Sequence, residues 1–252
     1  MSVRRARDHS PGGLPHSRLL LMKWHVEALF TLDAQGRLVS VNEADGGPAP
    51  RFFLGRTTEG CLWRFAANLP AAVVRELEHV CRDEPPARSG DDRTSLRHAQ
   101  YIEILAAHQD IVNVWTGPCY AEPMSRRSER RDEIHQCCSI DESNLHLLNT
   151  HLKEWLDAAL RWQPMIVAVS EGHAVSVCAS VRRSPTAHEA GIETAPEFRG
   201  RGFGRSALSA WLAGVSRLGI EPMYSTSWAN EASRRLAAAA GLEQVGVDFH
   251  AT

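Results

Sequence analysis

Arginine and glycine alternate through Arg199-Gly200-Arg201-Gly202-Phe203-Gly204-Arg205, between an apolar run at Ala190 and Ile192 and a helical pattern that starts at about residue 203. Strand, turn and helix thus follow one another within about twenty residues, with Pro196 at the end of the strand. Where a turn opens a helix, unpaired main-chain N–H groups and the positive end of the helix dipole face one point. Glycines remove the Cβ atoms that would keep an anion away, and guanidinium groups add charge suited to a pyrophosphate. The competing reading is a glycine-rich connection with solvated arginines. Against it stands the helix that follows, where Ala207, Leu208, Trp211, Leu212, Val215 and Leu218 share a face and Gly219 is a stop. The spacing is neither G-x-G-x-x-G nor a Walker A loop, because no Gly-Lys-Ser/Thr follows.

The run Arg199-x-x-Gly202-x-Gly204, after a strand and Pro196, resembles the acetyl-CoA signature of the GNAT superfamily of N-acetyltransferases. A second segment agrees: Asn230-x-x-Ser233-x-x-Leu236, closed by Gly241-Leu242, is similar to the element after the fifth strand of that family. The resemblance covers about residues 132–252. It implies an α+β fold with a mixed, splayed sheet flanked by helices, acetyl-CoA as acyl donor, and a primary amine as acceptor, attacked directly in a ternary complex. By position it assigns Ile192, Glu193 and Thr194 to the pantetheine arm. Arg199, Gly200, Arg201, Gly202, Phe203, Gly204 and Arg205 fall to the pyrophosphate, with Asn230 and Ser233 near the cofactor. Asn230 serves equally as a helix cap.

Acetyl transfer to an amine needs a free lone pair. For a lysine-like amine, releasing the proton at pH 7 costs roughly 4.6 kcal/mol, so a carboxylate or histidine facing the cleft is expected. The tyrosine that often protonates the departing thiolate in this family falls at Ala237, and a carboxylate that some relatives carry falls at Ser225. Replacements lie at His188, Glu189, Glu193, Tyr224 and His250, with Glu193 or Glu189 the expected base and Tyr224 the expected acid. Cys178 is read as the one cysteine on a central strand, with nothing beside it to activate a thiolate, which disfavours an acyl-cysteine route. A non-catalytic acyl-CoA sensor is the alternative, supported by the missing tyrosine.

Composition is that of an ordinary globular chain, with 252 residues, 43% hydrophobic and 23% charged. A net charge of -2 gives no general attraction to nucleic acid or anionic membrane, and no apolar run approaches the roughly 20 residues of a membrane span. Six scattered cysteines without C-x-x-C spacing point to free thiols and a cytoplasmic location. No metal site is expected, since the vicinal pair in His135-Gln136-Cys137-Cys138 cannot easily reach one ion together.

Four regions follow: a disordered tail (1–17), an N-terminal α+β domain (18–121), a charged linker (122–134) and the acetyltransferase-like domain (135–252). In the second, 24–33 and 37–42 read as a strand hairpin, and 51–54 and 61–65 as two further strands. Helices are expected from Leu69-Pro70 and over 96–107, then a strand over 111–115 stopped by Gly117-Pro118. In the fourth, a helix over about 143–156 precedes strands at 165–170 and 174–181, the turn and its helix, a strand at 222–227, a short helix capped by Asn230, and a last strand through Val245, Val247 and Phe249.

Overall fold

The computed structural model describes residues 13–43, 45–90, 95–128 and 135–252. The tail expected over 1–17 thus lies outside the described residues for 1–12, and the charged linker for 129–134.

Helix α1 (Arg18–Leu29) runs into a small hairpin of β1 (Phe30–Leu32) and β2 (Leu38–Val41). Then come β3 (Phe52–Thr57), β4 (Gly60–Phe65), α2 (Ala71–Arg82), α3 (His98–His108), β5 (Val114–Ala121) and the short α4 (Met124–Ser128). The chain continues with β6 (Cys137–Ser139), two 3-10 segments (Leu145–Asn149 and Lys153–Ala158), β7 (Met165–Ser170), β8 (His173–Arg183) and β9 (Ala187–Thr194). After the 3-10 turn Pro196–Phe198 come α5 (Phe203–Arg217), β10 (Glu221–Ser225), α6 (Glu231–Ala239) and β11 (Glu243–Ala251).

Nine strands form one mixed sheet in the order β4-β3-β11-β5-β10-β9-β8-β7-β6. Strands from both sides of the charged stretch share it, β5 lying between β10 and β11. Apolar clusters fill both faces. Helix α1 and the 3-10 segments cover one; α5 and α6 cover part of the other, next to α2 and α3.

Three expectations are corrected. Residues 24–29 are helical: Ser17 caps α1 by accepting the Leu20 N–H at 3.2 Å, and the strand is only Phe30–Leu32. Aromatic and β-branched content suggested a strand because α1 is apolar on more than one side, packing on six strands of the sheet. The single helix over 143–156 is two 3-10 pieces, separated by residues 150–152. Gly117-Pro118 does not stop a strand but sits inside β5. A Cβ at Gly117 would lie 1.9 Å from the Thr226 carbonyl oxygen, so this glycine serves a close backbone approach.

Candidate active site

β9 and β10 form a parallel ladder of three pairs, Glu221 with Ala187, Pro222 with His188 and Met223 with Glu189. Beyond Met223 the two strands separate, so Ala190–Thr194 and Tyr224–Ser225 border a gap. Pairing with β8 persists along β9 as far as Thr194, and a 3-10 turn begins at Pro196, which has no N–H to continue a ladder.

The turn after that gap is built on glycines in the left-handed region. Gly200 and Gly202 take positive φ, +73° and +91°, and Gly202 is the N-cap of α5. The N–H groups of residues 200–205 meet no hydrogen-bond acceptor among the described residues, which leaves them for an anion. Gly204 sits where a Cβ would come within 3.0 Å of Thr194 Oγ1, so glycine lets the helix start close against β9. The arginines are not equivalent. Arg199 Nε donates to the Thr194 carbonyl at 3.0 Å, while Arg201 lies over the rings of Phe198 and Phe203 at 5.2 and 5.3 Å. His135 stacks on Phe203 with centroids 3.8 Å apart, and its Nε2 lies 2.8 Å from the Arg201 carbonyl oxygen.

Asn230 caps α6, its Oδ1 accepting the Ser233 N–H at 3.0 Å. Ser233 Oγ lies 2.5 Å from the Tyr224 hydroxyl. Burial pushes the Tyr224 phenol up to about 12, the Ser233 hydrogen bond acting in the opposite direction. Ala237, where the family's tyrosine would fall, is fully buried.

Glu189, Gly191 and Glu193 alternate onto the face of β9 opposite α5. Glu193 accepts the Trp155 indole N–H at 2.7 Å. Glu189 is only 2% exposed, with Oε2 accepting from Ser225 Oγ at 3.0 Å and Oε1 lying 2.5 Å from His25 Nδ1. The other imidazole nitrogen of His25 is 2.7 Å from Asp248 Oδ2. Burial opposes a charge on His25, but the Cys119 sulfur, the Glu189 carboxylate and the Asp248 hydrogen bond together hold it well above the usual histidine range. Donor atoms of His25, Cys119 and Glu189 lie within 4.8 Å of one another, a spacing that can hold a metal. Both nitrogens of His25 also face carboxylates, so the same groups form a hydrogen-bond chain through the imidazole.

The remaining candidates make their contacts within the fold. His188 Nδ1 lies 3.0 Å from Ser180 Oγ, which also accepts the Trp211 indole N–H, and burial pushes His188 down to about 4. His250 stacks on Trp115 with centroids 5.0 Å apart. Cys178 is not the one cysteine on a central strand, since Cys119 lies on β5, and burial raises both thiols. Cys137 and Cys138 point to opposite faces of β6, packing into different clusters. His25 and Asp248 escaped the sequence reading. Asp248 and His250 alternate with Val247 and Phe249 as a polar stripe, yet Asp248 is fully buried and His250 half-buried.

Residues 166–247 match the family model described as GNAT acetyltransferase. Among solved structures, a GNAT-family acetyltransferase from Colwellia psychrerythraea aligns at 12% identity and TM-score 0.49, over 93% of this chain and 96% of that one. A GCN5-related N-acetyltransferase from Sphaerobacter thermophilus aligns at 12% identity and TM-score 0.47, over 84% and 79%. A GNAT-family protein described as a putative acetyltransferase, from Novosphingobium aromaticivorans, aligns at 16% identity and TM-score 0.44, over 56% of this chain; the alignment spans 65% of that chain. No curated protein matches the sequence.

Proposed function

We propose, from the match of residues 166–247 to the GNAT acetyltransferase family model, that the protein transfers an acetyl group from acetyl-CoA to a primary amine by direct attack in a ternary complex. The observation that carries the reading is the juxtaposition of two features. β9 and β10 separate beyond Met223, and the turn at the far end of β9 presents unpaired N–H groups at the start of α5. A pyrophosphate on residues 199–205 directs a pantetheine arm back along Ile192–Thr194. Its thioester then lies where the strands part, between Ala190 and Tyr224.

In the proposed reaction the amine nitrogen bonds to the thioester carbon, a base takes its proton, and the carbon–sulfur bond breaks to release the thiolate. Glu193 and Glu189 are the carboxylates for the base, both on the face of β9 away from α5. Tyr224 faces the departing sulfur. With its phenol near 12, full transfer to a thiolate of reference pKa ~8.5 is uphill, so Tyr224 serves as a hydrogen-bond donor and the thiolate takes its proton from solvent. The front half walls the acceptor side of the cleft through α1. No helix among the described residues is long and apolar enough to cross a membrane, and six free thiols support a cytoplasmic setting.

Thermal unfolding with acetyl-CoA tests the reading. Saturating cofactor stabilises by RT ln(1 + [L]/Kd), about 2.7 kcal/mol at a hundredfold excess over Kd, and raises Tm. Gly202→Glu puts a carboxylate at the phosphate site and abolishes that rise. Release of free thiol in the presence of a panel of amines then identifies the acceptor class. A wild-type Tm unmoved by millimolar acetyl-CoA overturns the assignment, and a shift without thiol release favours the sensor.

A further inference from the structure

Building on the acetyltransferase reading, we infer that the acceptor amine's proton leaves through Ser225 to Glu189, and that His25 and Asp248 are positioning residues holding Glu189 for that task. Four side chains from four elements form one chain of contacts. Ser225 Oγ on β10 donates to Glu189 Oε2 on β9, Glu189 Oε1 meets His25 Nδ1 on α1, and His25 Nε2 meets Asp248 Oδ2 on β11. His25, Glu189 and Asp248 are buried, whereas Ser225 is partly exposed and sits just past the last β9–β10 pair. The serine hydroxyl therefore joins the gap to the buried carboxylate behind it.

Charge explains why the chain can receive a proton. Two carboxylates around one imidazolium carry a net charge of minus one, and no lysine or arginine is paired with either carboxylate among the described residues. Asp248 Oδ1 is also buried without a hydrogen-bond partner. One added proton neutralises the group, so the chain has room for the single proton that acetylation releases. As the N–H bond of the attacking amine breaks, its proton goes to Ser225 Oγ while the serine proton moves to Glu189 Oε2. The serine stays neutral, the nitrogen electron pair remains in the new amide, and the thiolate leaves with the electrons of the carbon–sulfur bond. Glu189 later returns its proton to solvent through the same hydroxyl.

Tyr224 and Ser225 are consecutive on β10, so their side chains lie on opposite faces: one hydroxyl meets Ser233 of α6, the other Glu189 under α1. Sulfur and amine are thus served from opposite sides of the gap. The other titratable groups around His25 are Cys119 on β5, pushed up to about 11 by burial, and His250 on β11, pushed down by burial. Arg182 on β8 acts on His250 and pairs with Glu43 at 2.5 Å. Near neutral pH both Cys119 and His250 are uncharged, so neither adds to the charge of the Glu189–His25–Asp248 chain.

The test is steady-state acetylation by the full-length protein of whichever amine the panel identifies, followed as thiol release against pH. Ser225→Ala and Glu189→Gln are expected to lower kcat by about 10²-fold or more, with the acetyl-CoA-induced Tm shift unchanged. Ser225→Thr, which keeps the hydroxyl, stays within a few-fold of wild type. His25→Gln and Asp248→Asn displace the acid limb of the pH–kcat profile, which a packing role alone would not move. Should His25→Gln fail to fold, the Ser225 pair decides. Wild-type kcat and pH profile in Ser225→Ala overturn the relay, as does a panel in which no amine is acetylated. Acetyl-CoA binding, read separately from Tm, reports on the parent assignment.

Discussion

Trp155, in the second 3-10 segment, donates its indole N–H to Glu193 Oε2 on β9 at 2.7 Å and is itself 9% exposed. The contact ties the segment covering one face of the sheet to the strand that borders the gap. Removing one partner leaves the other half-buried and unsatisfied, which costs about 1–3 kcal/mol. Trp155→Phe and Glu193→Ala are each expected to destabilise by that order, and the double variant by less than their sum. A double-mutant cycle in urea should give a coupling of about 1 kcal/mol; additive losses would mean that the hydrogen bond contributes nothing.

A pH dependence follows from His25. Its folded-state pKa lies above the unfolded value of 6.5, so the folded protein binds the extra proton. The resulting stabilisation is complete below pH 6.5 and is lost as pH rises through the folded value. The stability gap between wild type and His25→Gln should therefore be widest at pH 6 and narrow steadily toward pH 9. Urea midpoints of both proteins across that range check it, and a gap that widens with pH would reverse the assigned charge.

The loop was legible because its requirements are local: Gly200 and Gly202 need positive φ and Gly204 needs a missing Cβ, and each leaves a mark in the residue type. The hairpin of β7 and β8 and the Asn230 cap were legible for the same reason. What stayed hidden depends on distant partners. Nothing near His25 announces Asp248, 223 residues away, or Glu189, 164 away. Gly117 looked like a stop because its true reason, the Thr226 carbonyl against it, belongs to another part of the chain. Residues 24–29 read as strand because their aromatic and β-branched content is local, whereas the Ser17 cap that starts their helix lies outside that stretch.

Gly204 gives a steric test of the phosphate loop. A Cβ there would meet Thr194 Oγ1 at 3.0 Å, tighter than most real contacts, with the Leu236 methyls at 3.9 Å. Gly204→Val is expected to push the start of α5 from the end of β9 and to weaken acetyl-CoA binding at least tenfold, about 1.4 kcal/mol. Gly214, further along α5, has only the Arg217 guanidinium within reach, and Gly214→Ala should leave binding unchanged. Isothermal titration of both variants decides; equal affinities would remove the loop from the binding site.

Glu221 opens β10 and is 4% exposed, paired with Arg127, which also lies 3.8 Å from Glu122. Burial pushes the Glu221 carboxyl up to about 7 despite the Arg127 charge, with Glu122 adding to the rise. Because the folded state holds that proton more tightly than the unfolded state, whose value is 4.5, this contribution is complete below pH 4.5 and lost as pH rises through 7. Glu221→Gln keeps an acceptor for Arg127 but cannot ionise. Wild-type stability relative to this variant should therefore fall by about 3 kcal/mol between pH 4.5 and 8, while the titrations of His25 and His250 cancel in the difference. Denaturation of the two proteins side by side across that range measures it, and a difference independent of pH would mean that Arg127 fully offsets the burial.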